Sequence, residues 1–198
     1  MKATALLEKQ HREVEDLFTT LEAGPPNDDL VEELCTALTA HAMIEEEIFY
    51  PAARKFNKGL ILESVEEHEL MAHAVKRVAH CDPERESFHA RLKAAKEVVE
   101  RHVQEEETEL LPAMAESLEG DDEALGQRME QRFEELTELG YEGAIAERKA
   151  RRSHDSEHPP AAQTSEKRSS SRAAPRKGTS KQEGSNSKKV SHAHPRGA

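Results

Sequence analysis

Apolar positions recur every three or four residues along most of the chain, the period of helices that bury one face. The stripe Leu7, His11, Val14, Phe18, Leu21 predicts a helix from about Thr4 to Ala23, broken by Gly24, Pro25 and Pro26. A second helix follows the capping signal Asn27-Asp28-Asp29 and carries Leu30, Leu34, Leu38, His41, Glu45, Ile48. Pro51 is expected to kink or stop it, and Gly59 to end any continuation. A third runs from about Leu60 to His80, with Ile61, Val65, His68, Ala72, Val75 inward. Asp82-Pro83 predicts the start of a fourth, with Asp as N-cap and Pro as first helical residue. Its stripe is Phe88, Leu92, Ala95, Val99, His102, Glu106, Leu110, bent near the end by Pro112. Leu125, Met129, Phe133, Leu136 and Leu139 predict a further helix over about 121–150, weakened by Gly140 and Gly143.

Several stripe positions are polar, and they repeat. Shifted by 61 residues, LTAHAMIEEEIFYPA overlies VERHVQEEETELLPA, so His41-x-x-x-Glu45 matches His102-x-x-x-Glu106, each followed by a second Glu and, six residues on, by Pro. Shifted by 57, QHREVEDLF overlies EHELMAHAV, matching His11 with His68. The chain therefore reads as two helical hairpins of one design, packed as an all-α four-helix bundle with approximate two-fold symmetry. The expected organisation is a bundle over 1–120, an additional helix over 121–150 and a low-complexity tail over 151–198.

Residues four apart on a helix share a face, so each repeat puts an imidazole and a carboxylate side by side on the face meant for the core. Burying such groups without partners costs several kcal/mol. A metal resolves the cost, because its charge stabilises ionised carboxylates and fixes imidazole tautomers. His11, His41, Glu45, His68, His102 and Glu106 are the candidate ligands. Imidazole and carboxylate without thiolate favour iron or manganese over a structural zinc. Two carboxylates from opposite hairpins can each bridge two metals, leaving two histidines per metal and open positions for a small ligand. Simple helix ion pairs would explain neither the shared stripe nor the repeat. Glu46 and Glu107, 100° further round, are expected to be solvated or to support the ligands from behind. Tyr50 is expected to pack in the core, with a place near the metals as the other reading. His73, His80 and His89 fall off the stripes and are expected at the surface.

The composition fits this picture. Aromatic residues are 4%, charged residues 34%, and there is no Trp, as suits a helical protein with an aliphatic core. No apolar run approaches a membrane span, and MKATALLEKQHREVE has no signal-peptide core, so the expected location is the cytoplasm. Cys35 and Cys81 form no paired motif and are expected to be reduced. The net charge of −12 hides a split: residues 1–146 hold 15 Lys+Arg against 35 Asp+Glu, while residues 147–198 hold 13 against 5. The basic tail, with His154, His158, His192 and His194, has little to bury and is expected to be disordered. A solubilising extension is preferred over nucleic-acid contact, because no aromatic or motif accompanies the charge.

The order His11, His41-x-x-x-Glu45, His68, His102-x-x-x-Glu106 resembles the hemerythrin-like, or HHE cation-binding, family over roughly residues 1–120. The resemblance implies an up-down-up-down bundle holding two non-haem irons with an oxo or hydroxo bridge. It implies that Glu45 and Glu106 bridge the irons, that His11 and His41 bind one, and that His68 and His102 bind the other. Oxygen-carrying hemerythrins place a fifth histidine one turn after the position of His68, where this chain has Ala72, with His73 beside it. That departure turns the expectation from reversible oxygen carriage towards chemistry with oxygen, nitric oxide or peroxide. One reading is a module that binds or senses oxygen, nitric oxide or iron. The other is an enzyme of oxidative or nitrosative stress defence that decomposes peroxide, reduces nitric oxide or repairs iron–sulfur clusters with a separate redox partner. No residue is assigned a catalytic role. A metal that only holds the fold would not need open positions, and a ferritin-like oxidase would place Glu three residues ahead of His, not His four ahead of Glu.

Overall fold

The computed structural model describes residues 1–25, 27–54, 57–118 and 121–157. All of them are helix, turn or connection, with no strand among the described residues. Helix α1 spans Ala3–Ala23, α2 Asp28–Ile44, α3 Tyr50–Ala53, α4 Lys58–Ala79, α5 Ser87–Glu105, α6 Leu111–Ser117, α7 Asp122–Glu138 and α8 Gly140–Glu157. Helices α1, α2, α4 and α5 pack in a ring, α1 on α2, α2 on α4, α4 on α5 and α5 on α1, which is the expected four-helix bundle. Asn27 and Asn57 cap α2 and α4, their side chains accepting from the backbone N–H of Leu30 and Leu60 at 3.1 Å.

Two π-helical segments interrupt the bundle, Glu45–Phe49 after α2 and Glu106–Leu110 after α5. Each stands just before a proline, Pro51 or Pro112, which has no N–H to give the carbonyl four residues back and whose ring crowds it. Widening the turn relieves both problems: Tyr50 and Leu111 donate their N–H to Glu45 and Glu106, five residues back. The wider turn also changes which residues face inward. Ile48, expected on the stripe, is only half-buried, and Phe49 and Tyr50 take the core instead.

Helix α5 starts later than expected. Asp82 accepts from the N–H of Glu84 at 2.9 Å and begins a turn rather than a helix, which opens at Ser87. Asp followed by Pro suits both the first turn of a helix and an isolated β-turn, so the local signal is shared.

The segment expected as one helix over 121–150 is two, α7 and α8. Gly140, at φ +68°, takes the left-handed conformation that ends α7 and lets the chain turn back. Glu32 of α2 accepts from the N–H of Tyr141 at 2.8 Å and ties down the start of α8. Helix α7 packs on α1 and α2, and α8 on α2. The approach of α7 to the start of α1 depends on Gly126, where an added Cβ would sit 2.2 Å from the carbonyl oxygen of Met1. Asp122 accepts from the N–H of Ala3 at 2.9 Å at the same junction. Arg151 and Arg152, assigned to the tail from the sequence, belong to α8; the rest of the expected tail from residue 158 lies outside the described residues.

The core falls into two apolar clusters. One gathers Leu7, Ile44, Phe49, Leu110, Met114 and Met129, and the other Phe18, Leu34, Leu38, Val75, Phe88 and Leu92. Between them along each bundle helix lies a histidine: His11 between Leu7 and Val14, His41 between Leu38 and Ile44, His68 between Ile61 and Met71, His102 between Val99 and Leu110. A polar layer therefore crosses the middle of the bundle.

Candidate metal centre

All six candidate ligands meet in that layer. None is more than 4% exposed, and Glu45, His68 and His102 are fully buried. Ligand atoms of His11, His41, Glu45 and Glu106 lie within 4.8 Å of one another, as do those of Glu45, His68 and His102.

The hydrogen bonds behind the histidines fix how the rings present themselves. Nδ1 of His11 donates to Glu107 at 2.8 Å, Nδ1 of His41 to Gln10 at 2.8 Å, Nδ1 of His68 to Glu46 at 3.0 Å and Nδ1 of His102 to Glu67 at 3.0 Å. With each Nδ1 carrying the proton, each Nε2 turns a lone pair to the centre. Those lone pairs meet in twos: Nε2 of His11 and His41 are 3.2 Å apart, and Nε2 of His68 and His102 are 3.2 Å apart. Two acceptors facing each other at that distance repel unless a cation stands between them. Adjacent ligand atoms about 2.1 Å from one ion, at right angles, lie about 3.0 Å apart, so the pairs suit one metal each.

The carboxylates lie between the pairs. Oε2 of Glu45 is 3.3 Å from Nε2 of His41 and 3.2 Å from that of His68. Oε2 of Glu106 is 3.5 Å from Nε2 of His11 and 3.6 Å from that of His102. Both oxygens of Glu45 and Oε2 of Glu106 are buried without a hydrogen-bond donor. A buried acceptor with no donor costs about 1–3 kcal/mol, and here the orphans point where the imidazole lone pairs point. A centre of four nitrogen lone pairs and three orphaned oxygens is a cation site by its chemistry.

Without a cation, the charges adjust. Burial, followed by the charge of Glu106, holds the Glu45 carboxyl well above its ordinary range. Burial pushes Glu106 the same way, but His102, then the hydrogen bond and charge of His11 and the charge of His41, bring it below its ordinary range when those imidazoles carry a second proton. Burial holds His41 and His68 below the usual histidine range, His41 further lowered by neighbouring His11. Behind the site burial pushes Glu46 up, but the bond from His68 and the charges of Arg148 and Arg152 bring it down to about 2.

A model of the family described as hemerythrin HHE cation-binding domain matches residues 2–114, more than half of the chain. The chain belongs to the hemerythrin HHE cation-binding family. Among solved structures, a hemerythrin HHE cation-binding domain-containing protein from Mycobacterium kansasii is similar with a TM-score of 0.62 and 26% identity, covering 69% of this chain and 87% of that one. Among curated proteins, a DNA nickase of Nostoc sp. is 29% identical over 122 residues, 60% of this chain and 35% of that protein. The chain thus spans about a third of the nickase's length. No helix among the described residues is long and apolar enough to cross a membrane.

The other predicted residues of this HHE domain divide clearly. His73, His80 and His89 are exposed, as expected; His73 lines a cleft between α4 and α8 and lies away from the centre. His154 sits on α8, and His158, His192 and His194 lie outside the described residues. Glu46 and Glu107 support His68 and His11 from behind. Tyr50, expected to pack in the core, is buried there and also reaches the centre. Its hydroxyl donates to Glu106 at 2.8 Å and is 3.2 Å from Nε2 of His68. Its signal in the sequence was the repeat itself, which sets Tyr50 opposite Leu111 and so breaks the symmetry at a buried polar position. Gln10 and Glu67, the partners of His41 and His102, carried no signal beyond standing next to His11 and His68.

Proposed function

We propose that this HHE protein is a non-haem di-iron protein that binds or senses oxygen, nitric oxide or iron. The observation that carries this reading is the pair of facing Nε2 couples spanned by Glu45 and Glu106 in a buried layer. In it His11 and His41 would hold one iron and His68 and His102 the other, with Glu45 and Glu106 between them. Iron bound there would supply Lewis acidity and one-electron chemistry. The chain's own residues do the rest. The four Nδ1 bonds orient the imidazoles, the two apolar clusters keep bulk water out, and Ala72 leaves its side of His68 without the fifth histidine of the oxygen carriers. A groove of about 340 Å³ between α1 and α5 reaches His11 past Arg12, Val14, Phe18 and Val103, which suits a small ligand.

Tyr50 favours a second reading, a di-iron enzyme of oxidative or nitrosative stress defence. A phenol that holds a proton against Glu106 inside the site is placed to give it to a bound ligand. Metal analysis and the absorption spectrum of the aerobically purified protein test the first part: about two irons per chain with near-ultraviolet oxo-to-iron bands are expected, and a folded protein that refuses anaerobic ferrous iron sinks it. Nitric oxide and peroxide, added with and without a reductant, then separate the readings. A stable adduct without turnover supports the binding module; multiple turnovers support the enzyme.

A further inference from the structure

The two halves of the centre are related by the internal repeat, and so are the groups behind them. Glu46 behind His68 corresponds to Glu107 behind His11, and Glu67 behind His102 corresponds to Gln10 behind His41. The first pair is carboxylate on both sides. The second is carboxylate on one side and neutral amide on the other, at a position where both residues are buried.

Each carboxylate is held by an arginine. Arg148 of α8 donates to the same oxygen of Glu46 that His68 uses, at 2.6 Å. Arg101 pairs with the other oxygen of Glu67 at 2.7 Å, and Arg12 pairs with Glu107. Gln10 needs no counter-ion. A carboxylate accepting from Nδ1–H draws that proton towards itself and makes Nε2 a stronger donor to a metal; an amide oxygen does so weakly. Donor number does not offset this. Oε2 of Glu45 lies 3.3 Å from Nε2 of His41 and 3.2 Å from that of His68, and Oε2 of Glu106 lies 3.5 Å from Nε2 of His11 and 3.6 Å from that of His102, so both carboxylates serve both halves, while the Tyr50 hydroxyl donates to Glu106 and is not counted.

We propose that the two metal positions are unequal, the His68–His102 position binding metal more tightly than the His11–His41 position, because Gln10 stands where the repeat elsewhere places Glu67. The inference rests on the two-metal reading above. It makes the weaker position the one that exchanges its metal, on the side where the α1–α5 groove reaches His11.

Anaerobic calorimetric titration of the metal-stripped full chain with ferrous iron tests it. Two steps are expected, with dissociation constants about 10–100-fold apart, the usual effect of an outer partner on a metal-bound histidine. His102→Ala should remove the tight step and His41→Ala the weak one. Gln10→Glu should tighten the weak step and bring the two together. Glu67→Gln, which exchanges near-isosteric groups, should weaken the tight step to the same end and serves if Gln10→Glu does not fold. Neither change touches Tyr50, so its hydroxyl cannot produce these shifts. Two ions bound in one indistinguishable step would overturn the inference alone, as would two steps that neither substitution moves. Failure to bind any iron would instead overturn the two-metal reading.

Discussion

Replacing Glu45 with Leu should stabilise the metal-free protein while abolishing its metal binding. Glu45 is fully buried, and neither of its oxygens has a hydrogen-bond donor. Burial and the nearby charge of Glu106 keep its carboxyl protonated far above the ordinary range. Its protonated oxygen can donate to Glu106 or to a facing Nε2, so one orphaned oxygen, at about 1–3 kcal/mol, and the desolvated O–H set the gross cost. A leucine of similar size removes them and adds apolar contact, and replacing buried ionisable groups in this way gains about 1–4 kcal/mol. A net gain of about 1–3 kcal/mol corresponds to roughly 2–12 °C in Tm for a domain of this size. The assay is urea and thermal unfolding in the presence of a chelator, repeated after loading with ferrous iron. In chelator Glu45→Leu should be the more stable protein. After loading, the wild type should gain stability and the variant should not, as expected where function is built on a locally unstable site. A stripped Glu45→Leu less stable than the stripped wild type would refute the reasoning, because it would mean that Glu45 is satisfied by the protein alone.

Three further outcomes are expected. His41→Ala and His102→Ala should each lower bound iron, whereas His73→Ala should leave it unchanged; equal iron in all three, measured by elemental analysis, would sink the ligand assignment. Tyr50→Phe should destabilise the stripped protein by about 1–2 kcal/mol, since it removes the donor to Oε1 of Glu106 and leaves a buried carboxylate less satisfied; unchanged urea midpoints would contradict that. Burial pushes the Cys35 thiol up to about 12, so the folded protein should resist alkylation at Cys35 at pH 8–9 in peptide mass spectra. Because that value is raised above the ordinary 9.0, the stability contributed by Cys35 is complete below about pH 9 and is lost as pH rises towards 12. Rapid labelling of Cys35 in the folded chain would oppose both statements.

Much of the fold could be read because its determinants are local. Periodicity marked the four bundle helices, Asn27 capped α2 where the cap signal stood, and the i,i+4 spacing within each repeat put His41 beside Glu45 and His102 beside Glu106. Local signals were weaker where two structures share one pattern. Asp82-Pro83 suited a turn as well as a helix start, and a proline after an apolar stripe indicated a disturbance without saying that the helix would widen into a π turn. That widening brought Tyr50, five residues after Glu45, into line with the site.

The sequence by itself determined the helices, their inward faces and the six groups that meet in the middle, because a repeat on a helical period leaves them no other face to occupy. Only the tertiary structure decided what stands behind them. Gln10 meets His41, Glu67 meets His102, and Arg148 of α8 holds Glu46 against His68 across 102 residues of chain. Those pairings depend on helix crossings and on the turn at Gly140, where a positive φ folds α8 back onto α2. Spacing along one helix fixes which neighbours share its face; the neighbour across the interface is fixed by how two faces pack, and no single helix carries that information.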